Sequence, residues 1–459
     1  MKKRKSILKV TGFFALFSAV IIFLPVIFIP TNNPYTYELP ATQNLIEVVY
    51  ATTSVTRTPP QWRPPELTRE QFLEDFDYLI TALEENFPSF GIVYRRNGMN
   101  MLALVPGIRE RILDENIEWD YLPFFDMLQL IFFSHAFGVG HLYLATYYRY
   151  FEILYGNIPR AYQRSVYGYF GERLRGIIWP NVNQALLSSN RAQFSDTHIV
   201  TEIPEEGRVA YIRVPDMFSA SGTRGSTSVP DPRNIQMVDA FYSQLEGFEH
   251  LIIDLRGLTY VWPSVFTSLL ISPLIDYALE TTFYLFYMAG EYNVRFIHGL
   301  PSAVFSQRQP FQIEDLENIF LPNVLTEEVL EDLSHMDYHF TRLISVAPQP
   351  ERRAPFDGKV WLLVDANNFS ATQQLAAFFH QTGFATLVGQ TTGGNAADGM
   401  IVSNFIRLPN TTFQVRYDPI YIVSADGRPW EYGTVPHHFN REGMDALQTV
   451  LALIAEGNY

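Results

Sequence analysis

The segment Val360–Gly394, VWLLVDANNFSATQQLAAFFHQTGFATLVGQTTGG, places a hydroxyl where hydroxyls become reactive. The apolar run Val360, Trp361, Leu362, Leu363 and Val364 reads as a buried strand. A polar turn, Asp365-Ala366-Asn367-Asn368, then delivers Ser370 to the start of an apolar-periodic helix carrying Leu375, Ala376, Phe378 and Phe379. There the hydroxyl sits in the positive field of the helix N-terminus, beside backbone N–H groups that lack intrahelical acceptors. Those N–H groups can hold a developing oxyanion while the hydroxyl attacks a carbonyl carbon, which is serine hydrolase chemistry. A structural reading competes with it. Ser370-Ala371-Thr372-Gln373 also spells S-x-x-Q, a capping box in which the serine caps the helix and Gln373 reaches back.

Other residues with chemical potential are ambiguous one at a time. His141, between Gly140 and Leu142, reads alone as a packed or surface residue, and Glu431 as a loop carboxylate. His135 and His141 are six apart, so they do not share a helical face and make no metal pair. His437 and His438 point to opposite faces of a strand. No G-x-S-x-G elbow surrounds Ser370, which weakens an unrelated esterase as a reading.

Composition narrows the class. The chain has 459 residues, 47% hydrophobic and 18% charged, enough for two or three domains with a sizeable core. Cysteine is absent, which excludes disulfides and an anchor on a lipidated cysteine. Lys2, Lys3, Arg4, Lys5 and Lys9 precede an uncharged run from Val10 to Ile29, long enough to span a bilayer, with no small-x-small cleavage site after it. We read 1–30 as an uncleaved signal anchor that leaves the rest of the chain outside the cytoplasm; a cleaved signal peptide is the alternative. Beyond this leader 28 basic residues face 48 acidic ones, a balance unsuited to nucleic acid or an anionic membrane surface.

The elements that must position Ser370 follow from periodicity. Residues 31–67 are rich in Pro and Thr and read as an extended tether. Thr68-Arg69-Glu70-Gln71 matches a capping box, and helical patterns follow it, then recur near Met101–Leu113 and Tyr121–Ala136. Residues 68–145 thus form a helical subdomain, and 146–205 a Tyr-rich connecting region. From 206 to 459 strands and helices alternate: strand Val209–Val214, helix Asn234–Leu245, strand His250–Leu255, helix Ser264–Leu274, strand Val360–Val364, helix Ser370–Thr382 and strand Thr386–Gly389. This βα repetition predicts an α/β fold with a mainly parallel sheet, interrupted by an insertion at about 290–355 that carries a helix over Glu327–Leu333. Ile252, Ile253, Leu362, Leu363, Val364, Leu375 and Phe378 are predicted core residues.

In this order the parts resemble the C-terminal processing (tail-specific) serine peptidase family, in its tricorn-like branch, without a recognisable PDZ domain. The resemblance is carried by Val139-Gly140-His141; Val209–Val214; Leu251-Ile252-Ile253-Asp254-Leu255-Arg256-Gly257; the Ser370 segment with Val388–Gly394; and Trp430-Glu431-Tyr432-Gly433-Thr434-Val435-Pro436. The family's Ser/Lys dyad is excluded, because Thr391-Thr392-Gly393-Gly394-Asn395 stands where T-x-G-K-G would and no lysine follows Lys359. The tricorn-like arrangement implies Ser370 as nucleophile, His141 as general base and Glu431 as the group that assists or orients it. It implies an oxyanion hole from the N–H groups of Ala371 and Gly257, and a crotonase/ClpP-like core. The loop after Asp254-Leu255-Arg256 lacks the family's paired glycines, reading Gly257-Leu258-Thr259-Tyr260-Val261. Val139 replaces an Asp, and Gln373 a Glu. The expectation is therefore a single-pass membrane peptidase acting on peptides or unfolded proteins outside the cytoplasm, with no metal or cofactor. The alternative is a catalytically impaired relative that binds peptide or a small ligand.

Overall fold

The computed structural model describes residues 66–120, 123–125, 127–129, 136, 139–144, 199–214, 232–258, 263–298, 309–321, 323–394, 403–411 and 413–457. The expected anchor at 1–30, nearly all of the tether, His135 and most of the Tyr-rich region lie outside them. No helix among the described residues is long and apolar enough to cross a membrane.

A six-stranded sheet forms the centre. Its spatial order is His438–Phe439, Thr386–Gly389, Lys359–Val364, His250–Asp254, Val209–Arg213 and Val200–Glu205. All neighbouring pairs are parallel except the last, where Val200–Glu205 closes the edge antiparallel to Val209–Arg213. The expected mainly parallel α/β core is present. Its four inner strands, Thr386–Gly389, Lys359–Val364, His250–Asp254 and Val209–Arg213, are mostly apolar because helices cover both faces. Leu362, Val364, Leu251 and Ile253 pack with Leu375, Phe378 and Phe379 on one side. Trp361, Leu363 and Ile252 pack with Val450, Leu453 and Ile454 of the C-terminal helix Ala446–Glu456 on the other. All seven predicted core residues are buried.

Two further sheets, both antiparallel, were not anticipated. One pairs Leu279–Tyr287 with Tyr338–Val346 over nine residues, flanked by Tyr421–Val423 and Gln309–Pro310. The other, of three strands, sets Gln414–Tyr417 between Tyr143–Leu144 and Asn404–Arg407. The predicted helix Ser264–Leu274 breaks into a short α-helical turn at Pro263–Phe266, a π turn at Thr267–Ile271 and a 3₁₀ turn at Ser272–Leu274, where Pro273 has no N–H to continue an α-helix. The helix near Asn234–Leu245 runs over Pro232–Tyr242, and that near Met101–Leu113 starts at Val105 after a 3₁₀ turn.

At the N-terminal side Thr68 caps the helix Arg69–Asn86. Gln71 N–H donates to Thr68 Oγ1 and Thr68 N–H to Gln71 Oε1, so the capping box read from the sequence forms. Phe72, Phe76, Leu79 and Leu83 of this helix pack with Val139, Leu142 and Leu144 and with Val415 and Tyr417 of the three-stranded sheet. One apolar cluster thus joins the helices to the segment carrying His141.

Candidate active site

Ser370 stands between the central strand Lys359–Val364 and the helix Ala371–Thr382. Its hydroxyl makes no capping hydrogen bond, and its backbone lies at φ 60°, ψ −114°, a conformation L-residues avoid. The capping-box reading therefore fails. Gln373 is drawn away instead: its Oε1 accepts from Thr392 Oγ1 and Thr434 N–H, and its Nε2 donates to Thr434 Oγ1 at 3.0 Å. A strand-to-helix turn strained at the serine exposes the hydroxyl in the manner of a nucleophile elbow, here without flanking glycines.

The elbow is pinned from three sides. Ser370 N–H donates to Gly394 O at 3.1 Å and Gly393 N–H to Asn368 O at 2.8 Å. Asn368, fully buried, donates its Nδ2 to Leu255 O at 2.6 Å, and Thr372 Oγ1 donates to Leu258 O at 3.1 Å, so the loop after Asp254 is tied beneath the serine. Gly394 lies at φ 78°, and a Cβ there would meet Glu431 O at 2.2 Å. Glycine lets this strand and the Glu431 segment touch backbone to backbone.

His141 arrives by a different route. Tyr143 and Leu144 pair with Arg416 and Val415, and this register brings Asp418 alongside the turn at Gly140-His141. Asp418 N–H donates to Gly140 O at 2.7 Å, and the Asp418 carboxylate lies 2.5 Å from His141 Nδ1. A carboxylate only accepts, so Nδ1 carries a proton, and in the neutral ring Nε2 is the basic nitrogen. Ser403 donates its hydroxyl to the other Asp418 oxygen. The imidazole meets Phe369, the residue before Ser370, edge to face at 5.2 Å. His141 itself has φ 41°, so both the histidine and the serine sit on strained backbone.

Glu431, on the 3₁₀ turn Trp430–Tyr432, is buried against the Gly140-His141 turn, with its Oε2 accepting from Gly140 N–H at 3.2 Å. Gly140 is thus held at both polar atoms, its N–H by Glu431 and its C=O by Asp418. Arg96, from the helix Phe90–Asn97, donates to Glu431 O at 2.6 Å and Gly393 O at 2.8 Å, linking the N-terminal helices to the serine loop. Its neighbour Arg95 donates to Tyr432 Oη at 2.7 Å and pairs with Asp332. Burial pushes the Asp332 carboxyl above its usual range even with Arg95 beside it, and burial also raises Tyr432.

Of the expected oxyanion donors, Ala371 N–H is the first amide of the helix and has no hydrogen-bond acceptor among the described residues. Gly257 N–H is already given to Asp365 Oδ2 at 3.1 Å. Residues 259–262 fall outside the described set. Among the described residues no three His, Asp or Glu side chains gather as metal ligands. Sequence reasoning missed Asp418. Its only local signal is a carboxylate at a strand end before Pro419.

The family profile of peptidase family S41 matches residues 208–438. The chain belongs to peptidase family S41, the C-terminal processing serine peptidases. Among solved structures it is similar to a protein described as a peptidase from Parabacteroides merdae, at 14% identity over 85% of this chain and 97% of that one, with a TM-score of 0.48. It is also similar to the CPAF S499A mutant, at 13% identity over 81% and 93% with a TM-score of 0.48. The third is a lipoprotein from Streptococcus agalactiae, at 11% identity over 87% and 99% with a TM-score of 0.39. No curated protein matches the sequence.

Proposed function

We propose that this chain is an active serine peptidase of the tricorn-like kind that cleaves peptides or unfolded protein tails through an acyl-enzyme on Ser370. The observation that carries the reading is the uncapped Ser370 hydroxyl on strained backbone, with the His141–Asp418 pair packed against the preceding Phe369. In the first step Ser370 Oγ bonds to the scissile carbonyl carbon as His141 Nε2 takes the hydroxyl proton. Asp418 steadies the resulting imidazolium, and Ala371 N–H faces the oxyanion. As the tetrahedral adduct collapses, the C–N bond breaks and the leaving amine takes the proton from His141 Nε2. Water then attacks the ester by the same path in reverse, releasing the acid and restoring the hydroxyl. Glu431 acts through the backbone, fixing Gly140 and hence the ring that follows it.

We further propose that the N-terminal run Val10–Ile29 anchors the chain in a membrane with the peptidase part outside the cytoplasm, a reading supported by the basic start and the uncharged run. Full-length protein is expected in the membrane fraction, resistant to carbonate extraction, whereas a chain lacking 1–30 is expected in the soluble fraction. Equal partitioning of the two would remove the anchor from the proposal.

A second reading, a peptidase-derived binding protein, is favoured by one contact. With Gly257 N–H held by Asp365, one of the two expected oxyanion donors is committed elsewhere. A fluorophosphonate probe separates the readings. Covalent labelling of the folded wild-type chain that disappears in Ser370→Ala supports the peptidase. A folded wild-type chain that takes no label supports the binding protein.

A further inference from the structure

A cavity of about 150 Å³ lies between the helix Ala371–Thr382 and the loops on either side of Trp430. Neither Ser370 nor His141 lines it, so it is a site apart from the proposed chemistry. Ala377, Pro429, Trp430 and Val435 give it apolar walls, and Arg428, Asp426, His380 and Gln381 bring polar groups to it.

Several of those polar groups are only partly used. Arg428 is half-buried and donates its Nε to Gly433 O at 2.8 Å, and its two terminal nitrogens have no partner among the described residues. Arg95, Arg256 and Arg352, similarly half-buried, each hold a carboxylate. A guanidinium drawn into a cavity without one is a ready fork for an incoming anion. Asp426 does not serve, although it is two residues away. Its Oδ1 accepts from Arg428 N–H at 3.2 Å, a tight turn that leaves the carboxylate exposed and out of ion-pair reach of the guanidinium. Gln381 gives its Oε1 to Thr281 Oγ1 at 2.8 Å and keeps its NH₂ group, and the His380 ring stacks on His437 at 4.5 Å with neither nitrogen bonded among the described residues.

We infer that this cavity binds a free α-amino acid with an apolar side chain. Its carboxylate takes the terminal N–H groups of Arg428, its ammonium faces Asp426, and its side chain rests against Trp430 and Val435. A zwitterion answers both charges, whereas a simple anion meets Asp426 and a simple amine meets Arg428. The volume falls well below the roughly 300 Å³ at which pockets for drug-sized ligands begin, which excludes a peptide of several residues. Gln373 and Thr434 line the same cavity, and their mutual hydrogen bonds keep Gln373 from folding back on Ser370. The occupant therefore sits against the bracing of the Ser370 turn, the position of an effector. The inference goes beyond the peptidase reading and does not depend on it, because its readout is binding.

The test is calorimetric titration of the full-length chain in detergent with L-alanine, L-valine and L-leucine. N-acetyl-L-valine and L-valinamide follow, which lack the positive and the negative charge in turn. The best of the free amino acids is expected to bind with a Kd of about 1 mM or tighter. Each blocked valine is expected to bind at least about tenfold more weakly than L-valine, because it forfeits a charge-assisted bond. Asp426→Asn keeps an oxygen for Arg428 N–H and is expected to weaken L-valine by about tenfold, and Arg428→Gln by at least as much. Should Arg428→Gln fail to fold, Asp426→Asn, on the exposed rim, carries the comparison. No binding of any free amino acid to folded wild-type protein overturns the inference, as does equal binding of L-valine and its blocked forms or full affinity in folded Asp426→Asn. None of these results touches the peptidase reading, which fluorophosphonate labelling decides separately.

Discussion

Asp418→Asn separates a catalytic carboxylate from a structural one. In the wild type both Asp418 oxygens accept hydrogen bonds, one from Ser403 and one from His141 Nδ1. Asparagine keeps one acceptor, which Ser403 retains, and presents an NH₂ group to Nδ1. Nδ1 must then become the acceptor, the proton moves to Nε2, and the ring loses the lone pair that would deprotonate Ser370. A histidine locked in the wrong tautomer costs roughly 10³–10⁴ in rate, equivalent to about 4–5.5 kcal/mol of transition-state stabilisation. Glu431→Gln is the matched control. It keeps an oxygen for Gly140 N–H, so the turn stays in place and the expected loss is about tenfold or less. The assay is the second-order rate of fluorophosphonate labelling, with thermal melting run in parallel to confirm folding. If folded Asp418→Asn labels within about tenfold of wild type, or Glu431→Gln loses more than Asp418→Asn, the assignment of the base's partner is wrong.

Further predictions follow from backbone and burial. Ser370→Gly removes the strain of an L-residue at φ 60°, so it should melt above Ser370→Ala by about 1 kcal/mol in urea unfolding while both lose all labelling. Gly394→Ala adds a Cβ 2.2 Å from Glu431 O at a positive φ, so it should destabilise the fold by more than about 2 kcal/mol and slow labelling together, as circular dichroism and the probe would report. Trp361→Ala empties the largest fully buried side chain of the sheet and should cost about 3–5 kcal/mol in the same unfolding assay. His250 contributes to the pH dependence, as do His339 and His437, whose pKa values burial also lowers. Burial holds the His250 pKa below 6.5 and Trp361 Nε1–H donates to its Nδ1, so the folded chain resists a proton that the unfolded chain accepts. Its contribution is complete above pH 6.5 and is lost as pH falls through the depressed folded value. The melting temperature of wild type should drop between pH 6.5 and 5 more steeply than that of His250→Phe.

The sequence made the central sheet and the Ser370 turn visible for a local reason. Strands such as Val360–Val364 are apolar runs bounded by turn residues, and the serine follows one directly, so period, turn and hydroxyl all lie within about a dozen residues. The antiparallel sheets lacked that locality. Leu279–Tyr287 and Tyr338–Val346 mix Thr, His and Arg with aromatics because each faces neighbours of several kinds. Their pairing exists only across the intervening fifty residues. Asp418 was hidden in the same way. It reaches His141 from 277 positions away, through the register of Tyr143 with Arg416.

Ser370 shows the opposite failure, a local pattern overruled from a distance. S-x-x-Q is a sound capping signal only while the glutamine is free to fold back. Thr392 and Thr434 take Gln373 first, and the bonds from Ser370 N–H to Gly394 O and from Asn368 to Leu255 O hold the turn at a φ no cap requires. A serine that merely capped a helix would need none of that bracing. Strain at Ser370, bracing around it and a histidine held by a carboxylate against the adjoining residue are costs that stability alone does not explain. The same contacts that defeat the capping pattern are therefore the strongest argument that Ser370 is there to react.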